Sequence, residues 1–222
     1  MKMEYKNIIN KIKTKLQTEL ENEATGHDWH HIKRVYDNAC YIQSKEGGNR
    51  NIVELAALLH DISDHKFNGG KLNEGGKIAY QLLIENGCDK KTALHVKEIV
   101  DTVSFKGAKV LDEVISLEGQ IVQDADRLDA IGAIGIARAF AFGGNRNRPI
   151  YEPSSAPILH TTFEEYSVSK SHTINHFYEK LLLLKDRLHT KTAIEIGKER
   201  HLFMEVFLKQ FYNEWNINTI TN

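Results

Sequence analysis

The distribution of proline residues most constrains the fold of this chain. The chain has 222 residues but only three prolines, and Pro149, Pro153 and Pro157 all lie in one short stretch. Because proline removes a backbone N–H donor and obstructs the preceding helical turn, the rest of the chain is free to form long helices. No segment alternates apolar and polar residues as a strand would. The sequence therefore predicts an all-α fold, with one domain over residues 1–222 and a core at about 20–215.

Apolar residues at helical spacing predict the individual helices. The segment 30–42 carries such a stripe, formed by Ile32, Val35, Ala39 and Ile42. In segment 49–61, Asn51 is expected to cap a helix and Glu54 to complete a capping box. Further helices are expected over about residues 4–22, 71–86, 90–103, 120–142, 160–188 and 190–215. The Gly-, Asn- and Pro-containing segments 46–51, 67–76 and 142–159 are expected to be loops.

Composition and charge exclude several classes of protein. The chain carries 29 Lys and Arg against 30 Asp and Glu, so no net charge draws it to a nucleic-acid polymer or an anionic membrane. Cys40 and Cys88 are far apart, which indicates a reducing compartment and neither a disulfide framework nor a thiolate metal site. The N-terminal residues are charged throughout, unlike a signal peptide. The apolar run 130–142 is too short to span a bilayer and contains Arg138. A cytoplasmic protein is expected.

Three stretches place histidines and aspartates in otherwise apolar helical segments: "GHDWHHIKRV" at 26–35, "LLHDISDHKF" at 58–67 and "QDADRLDA" at 123–130. A buried charge needs a partner or a metal ion. Two imidazoles and two carboxylates suit a borderline or hard divalent ion such as Mn²⁺, Fe²⁺, Co²⁺ or Zn²⁺, and they are available from His31, His60, Asp61 and Asp126. For a single histidine the alternative is a core residue, and for Asp126 a cap or salt-bridge acid.

The order of these stretches resembles the HD-domain superfamily of metal-dependent phosphohydrolases, and most closely its short stand-alone bacterial members. The resemblance covers roughly residues 20–215 and implies one HD-type helical domain. It implies a metal site made of His31, the doublet His60 and Asp61, and Asp126 as the last ligand. His30 is the alternative to His31, because a shift of one position rotates a helical side chain by about 100°.

The resemblance also implies the metal. One divalent ion is expected, with Mn²⁺ preferred and Fe²⁺, Co²⁺, Ni²⁺, Mg²⁺ or Zn²⁺ as alternatives. Two-metal relatives use several histidines between the doublet and the last aspartate, whereas His95 is the only histidine between positions 65 and 160 of this sequence. A second metal is therefore not expected.

Acids and a lysine near the doublet are candidates for catalysis. Asp64 lies four residues after His60, so in a continuing helix its carboxylate stays near the metal face. The resemblance implies that an acid at this spacing positions or deprotonates the attacking water, and a helix-terminal acid is the alternative. Lys66 is expected to meet a phosphate, with a solvated lysine as the alternative. Asp129 is expected either to orient a metal ligand or to form a surface ion pair.

Further cations are expected to hold phosphate groups, because a guanidinium can bind phosphoryl oxygens through two hydrogen bonds. The candidates are Arg34, Lys71, Lys106, Arg146 and Arg148. The loop that carries the last two is either a lid or an ordinary surface loop. Near the C-terminus, apolar residues predict core contacts or a homodimer contact, namely Phe203, Val206, Phe207 and Phe211.

These features predict a metal-dependent phosphohydrolase that uses metal-activated water on a small phosphorylated molecule. A nucleoside triphosphate or related nucleotide is the preferred substrate. One alternative is a phosphodiesterase or nucleoside monophosphatase with the same metal site, and another is an inactive HD module that senses a nucleotide. Neither a nucleic-acid polymer nor a membrane is an expected partner.

Overall fold

The computed structural model describes residues 2–20, 28–62, 74–105, 107–110, 112–113, 116–162, 165 and 171–216. Numbered among these residues, the helices are α1 (Lys2–Glu19), α2 (Trp29–Glu46), α3 (Arg50–Leu59), α4 (Gly75–Glu85), α5 (Lys90–Thr102), α6 (Leu117–Asp129), α7 (Gly132–Asn145), α8 (Thr173–Glu179) and α9 (Lys191–Trp215), with a 3₁₀ helix at Leu181–Arg187. The described residues contain no strand, and the fold is all-α as predicted. No helix in these ranges combines the length and hydropathy needed to cross a membrane.

Helix α3 lies at the centre of the fold. Every residue from Ile52 to Leu59 is buried, and the helix packs against α1, α2, α5 and α6. Burial of this many apolar side chains is the main favourable contribution to folding. Because α3 is buried up to its last residue, the His-Asp doublet that follows it begins inside the protein rather than on its surface.

The start of α3 differs from the sequence prediction. Asn49, and not Asn51, caps the helix, and its side chain accepts hydrogen bonds from the N–H groups of Asn51 and Ile52 at 3.1 and 3.4 Å. Glu54 does not close a capping box, because its carboxylate pairs with the Arg50 guanidinium at 2.6 Å. Both Asn49 and Asn51 have a side chain suited to capping, so residue type does not show which of them caps the helix; the position of the first turn decides it.

Helix α2 packs against α3 and α6, and its predicted apolar stripe is confirmed as buried. Asp28 caps the helix by accepting a hydrogen bond from the His31 N–H at 2.7 Å. This cap places His31 in the first turn, beside the buried side chain of Ile32. The local capping chemistry thus decides which histidine of the pair faces the interior.

The single helix predicted over 120–142 is wrong, because the chain forms α6 and α7 with a break between them. Gly132 has a φ of +74°, a left-handed conformation that side-chain-bearing residues rarely adopt. A Cβ atom on this glycine would lie only 3.0 Å from the Cβ of Arg200 on α9. The turn at Gly132 therefore ends α6 at Asp129 and directs α7 onto α9.

The helix predicted over 160–188 is also wrong in extent. Residues 160–162 and 171–172 are not helical, and α8 begins where the His172 side chain accepts a hydrogen bond from the Asn175 N–H at 3.1 Å. Lys180 then interrupts the path with φ −143° and ψ −62°, outside the helical region, before the 3₁₀ helix. The predicted loop 142–159 is shorter than expected, since α7 continues to Asn145.

Aromatic side chains attach the end of α9 to the loop after α7. Tyr151 makes edge-to-face contacts with Phe211 and Trp215, with ring centroids 5.7 and 5.0 Å apart. Phe207 and Phe211 pack against the core, as the sequence predicts. Phe203 and Val206 instead remain 52% and 58% exposed. A homodimer contact at these two residues stays a prediction.

Two adjacent glycines in α7 provide a matched test of the packing. A Cβ on Gly143 would lie 2.3 Å from Thr173 Oγ1 on α8, whereas a Cβ on Gly144 would meet nothing within 4 Å. We expect Gly143→Ala to lower the free energy of unfolding by about 1–3 kcal/mol through overpacking. Gly144→Ala should leave it unchanged or raise it by up to about 1 kcal/mol. Urea denaturation measures both, and equal effects would contradict the close contact of α7 with α8.

Candidate metal centre

The side chains of His31, His60, Asp61 and Asp126 converge at the ends of α2, α3 and α6. The His31 Nε2 atom lies 3.2 Å from His60 Nε2 and 3.2 Å from Asp61 Oδ2. Asp126 Oδ1 lies 3.7 Å from His31 Nε2 and 3.8 Å from His60 Nε2. One ligand atom from each of His31, His60 and Asp126 can be chosen so that all lie within 4.8 Å of one another. The structure therefore brings the four predicted ligands together.

The hydrogen bond at Nδ1 of each imidazole determines whether its Nε2 atom, which faces the cluster, carries a proton or a lone pair. His31 Nδ1 lies 2.8 Å from the Asp129 carboxylate, and His60 Nδ1 lies 2.9 Å from the Ala57 carbonyl oxygen. Since a carboxylate and a carbonyl accept hydrogen bonds, each Nδ1 carries the ring proton and donates a hydrogen bond to its partner. In the neutral imidazoles both Nε2 atoms then carry a lone pair toward the cluster. Two nitrogen and two carboxylate donors facing one point fit a divalent cation.

The two sides of the cluster differ in exposure. The histidine side chains are each 1% exposed, whereas Asp61 is 18% and Asp126 is 29% exposed. Burial lowers the pKa of His31, but the hydrogen bonds to Asp129 and Asp61 outweigh it and raise that pKa above its ordinary value. The local field thus favours positive charge beside His31. The nitrogen side is closed by helix packing, and the carboxylate side is open.

Asp129 supports this arrangement from behind His31. Its buried carboxylate accepts hydrogen bonds from His31 Nδ1, from Arg34 Nε at 2.6 Å and from Arg138 Nη1 at 2.8 Å. Burial raises the pKa of Asp129, but the hydrogen bonds from His31 and Arg34 hold it well below its usual range. Asp129 therefore stays ionised and orients the His31 ring. Of the two predicted contacts of Asp129, the structure shows the one with His31, a predicted metal ligand, rather than a surface ion pair.

The other predicted site residues have different placements. Arg34 pairs with Asp129, and the guanidinium groups of Arg146 and Arg148 lie over the Phe142 ring, 5.5 and 5.6 Å from its centroid. The remaining four lie outside the described residues, namely Asp64, Lys66, Lys71 and Lys106. The catalytic and substrate-binding roles of these seven residues stay predictions.

The described contact of His95 is with Ser116 and not with the four predicted metal ligands. Its Nε2 lies 2.8 Å from Ser116 Oγ, the hydroxyl that caps α6 by accepting a hydrogen bond from the Gly119 N–H at 3.1 Å. This contact supports the start of the helix that carries Asp126. That the site holds one metal rather than two stays a prediction.

The motifs of the sequence do not predict two cations near the site, Arg138 and Lys180. Arg138 on α7 reaches Asp129, and it is a single charge in an apolar run, which was a usable signal. Lys180 follows α8; burial lowers its pKa, whereas the negative charges of Asp126 and Asp61 raise it. No spacing relates Lys180 to the three metal-site stretches, because its proximity arises from the tertiary fold.

Comparison with known proteins agrees with this geometry. The HD-domain family model matches residues 28–131, which contain all four predicted ligands. The chain belongs to the HD-domain family.

Its similarity to individual relatives extends over most of its length. Protein YpgQ of Bacillus subtilis (strain 168) is 42% identical over 200 residues, which cover 90% of this chain and 89% of YpgQ. A Lactobacillus plantarum protein superposes with a TM-score of 0.83 and 37% identity over 94% of this chain and 97% of its own. An HD-superfamily hydrolase from Bacillus thuringiensis gives a TM-score of 0.73 and 40% identity over 96% and 98% of the two chains. The chain thus has the fold of HD-superfamily hydrolases.

Replacing Asp129 tests its support of His31. We expect Asp129→Asn to weaken Mn²⁺ binding by about 10- to 100-fold, because an amide holds the His31 N–H less strongly than a carboxylate does. Isothermal titration calorimetry measures the affinity, and circular dichroism confirms that the helices persist. Asp37→Asn is the control, since this α2 acid is 54% exposed and pairs with Lys33. Equal Mn²⁺ affinity in both variants would remove the orienting role of Asp129.

Proposed function

We propose that this protein is a divalent-metal-dependent phosphohydrolase that acts on a nucleoside triphosphate or a related nucleotide. The observation that carries the proposal is the convergence of His31 Nε2 and His60 Nε2 with the carboxylates of Asp61 and Asp126, closed on one side and open on the other. The hydrolase fold supports the reaction class. A crystal structure of YpgQ, which superposes on 95% of this chain with 37% identity over the superposed residues, is a complex with ADP and supports a nucleotide ligand.

His31, His60, Asp61 and Asp126 would together hold one ion. Two imidazole nitrogens and two carboxylate oxygens suit Mn²⁺, and also Fe²⁺, Co²⁺, Ni²⁺, Mg²⁺ or Zn²⁺ as alternatives. When bound, the ion supplies Lewis-acid stabilisation of phosphoryl oxygens and lowers the pKa of a water molecule. Such a cluster serves a phosphohydrolase, a phosphodiesterase or a nucleotide sensor, which differ in product and turnover.

The chain itself supplies orientation, exclusion of water and proton transfer. Asp129 and the Ala57 carbonyl hold the two imidazoles in the form that directs Nε2 toward the cluster. Packing of α2 on α3 closes the histidine side, so the substrate approaches the partly exposed carboxylates. Asp64 takes the proton of the attacking water or aligns that water. Lys66 and the other proposed substrate cations, Arg34, Lys71, Lys106, Arg146 and Arg148, hold the phosphate groups.

Phosphate and pyrophosphate release from a nucleotide panel, with each divalent ion in turn, tests the proposed function. We expect wild-type protein with Mn²⁺ to hydrolyse nucleoside triphosphates. Nucleoside release from monophosphates or cleavage of a diester alone would instead support the alternative enzymes. Tight nucleotide binding without turnover would support the sensor.

The adjacent histidines of α2 offer a matched pair for the same assay. His31→Ala should lose bound metal. A residue that only orients a ligand costs about 10- to 100-fold when replaced, and turnover of His31→Ala should fall by more than that. His30→Ala should keep both, because His30 is exposed whereas His31 is buried. Metal analysis after gel filtration gives the first readout. The opposite pattern would assign the ligand to His30.

Asp64→Asn tests the proposed base. Because asparagine has nearly the same shape but cannot accept a proton, we expect bound Mn²⁺ to be retained while turnover falls by about 10²- to 10⁴-fold. Asp186→Asn serves as the control, since this acid is 79% exposed. Loss of metal from Asp64→Asn would make Asp64 a ligand or a structural support, and unchanged turnover would exclude it as the base.

A further inference from the structure

The outward side of α9 carries exposed residues in a heptad pattern. They recur at alternating intervals of four and three positions and are Glu195, Glu199, Leu202, Val206, Lys209 and Asn213. Met204 and Leu208, on the opposite side of the helix, are buried in the core. This spacing aligns side chains along one side of a helix and is typical of the seam between two packed helices. We call this line of residues the α9 seam; its centre, Leu202 and Val206, is apolar and is exposed together with Phe203.

Helix α7 adds an exposed apolar stripe beside the α9 seam. Over residues 132–143, all of which the structure describes, every exposed side chain is apolar, namely Ala133, Ile134, Ala137 and Ala141. A surface helix normally presents polar side chains to water. Because α7 packs against α9 and both helices bury their other side, the stripe and the seam form one surface, which we call the α7–α9 face. An exposed apolar patch of this kind indicates an interaction site.

The α9 seam is complementary to itself when two copies run antiparallel. In a pair centred on Met204, Leu202 lies opposite Val206 of the partner subunit, and Glu199 lies opposite Lys209 of the partner subunit. The two-fold symmetry repeats each contact, so opposite charges meet at each end of the apolar centre. Parallel pairing would instead place Glu199 against Glu199 of the partner subunit and Lys209 against Lys209 of the partner subunit, which is unfavourable.

Two contacts fix the relative position of α7 and α9. A Cβ on Gly132 would lie 3.0 Å from the Arg200 Cβ, and the rings of Phe140 and Phe207 have centroids 5.9 Å apart. The helices therefore run side by side in the same direction over about two turns. The middle of the α7 stripe, between these contacts, is level with the middle of the α9 seam.

The exposed alanines of α7 share the two-fold centre of the α9 seam. Ala137 is the α7 residue level with Met204, so the axis brings Ala137 against Ala137 of the partner subunit. Ala133 then lies opposite Ala141 of the partner subunit, at both ends of the stripe. Alanine side chains let two helices approach closely, at the short end of the usual interaxial distance of about 8–10 Å. One axis thus pairs both helices of the face with their copies.

We propose that the α7–α9 face is the interface of a homodimer, in which α7 and α9 each pack antiparallel against their copies in the partner subunit. A second copy of this chain fits the face because apolar residues meet at its centre and opposite charges meet at the ends of the α9 seam. The like charges that a parallel pair would bring together favour the antiparallel arrangement. None of these residues is a proposed metal ligand or substrate-binding residue, so the dimer does not depend on the proposed function.

Analytical ultracentrifugation of the full chain tests the interface. We expect wild-type protein to sediment with twice the 25.3 kDa mass of one chain. Val206→Asp should raise the dissociation constant of the dimer by about 100-fold or more, because a central apolar contact is lost twice and a charge is placed in the interface. Leu94→Asp is the matched control, since Leu94 is also an exposed apolar residue of a helix but lies on α5. Circular dichroism confirms that both variants keep their helices.

Charge reversal tests the antiparallel register of the α9 seam. Glu199→Lys alone and Lys209→Glu alone each bring like charges together at both ends of the seam, and each should raise the dissociation constant by about 10-fold. The double variant Glu199→Lys/Lys209→Glu restores opposite charges and should recover the wild-type dissociation constant. Damage to the fold would add up in the double variant, so recovery separates a contact between subunits from a structural effect.

Three results would overturn the proposed dimer. A wild-type chain that stays monomeric at the highest attainable concentration would leave the α7–α9 face to a different protein partner. A dimer that Val206→Asp and Leu94→Asp affect equally would have its interface elsewhere. Single charge variants that weaken the dimer without recovery in the double variant would exclude the antiparallel register.

Discussion

The carboxylate of Asp129 is the group on which both the packing and the metal centre depend. It lies at the end of α6 and binds His31 and Arg34 of α2 and Arg138 of α7. A buried carboxylate is tolerated only when its charge is compensated, and here two guanidinium groups supply the compensation. The same compensation keeps Asp129 ionised, so that it can hold the His31 ring. The packing of α2 and α7 on α6 and the orientation of the His31 ring therefore depend on the same compensated charge.

Helix α6 also binds the start of α9 through a second buried acid. Its buried Asp124 accepts hydrogen bonds from the His189 and Thr190 N–H groups at 2.9 and 2.7 Å, which secures the start of α9. Burial raises the pKa of Asp124, although the Thr190 and His189 hydrogen bonds oppose the change. Asp126, by contrast, remains partly exposed beside the histidines. Asp124 and Asp126 lie in the same short helix, but they have different roles because different elements pack against them.

Local patterns predicted what depends on local chemistry. The stripe on α2 and the extents of α5 and α9 follow from apolar spacing, and the convergence of the four predicted ligands follows from three short motifs and the family resemblance that they carry. The break at Gly132 was missed because it depends on the approach of Arg200, which is remote in sequence. Lys180 was missed for the same reason, since its relation to Asp126 exists only after α8 has packed. The sequence thus predicted which residues meet at the centre better than it predicted the residues that surround them.

The charge balance at the open side of the centre explains why cations are needed there. Asp61 and Asp126 are two partly exposed negative charges that would repel a phosphate chain. Asp129 adds little to this repulsion, because Arg34 and Arg138 already compensate it. A divalent ion on the four ligands would neutralise these two charges and remove the repulsion of phosphate. Because the two histidines are buried, phosphate would approach the ion from the side of the partly exposed carboxylates.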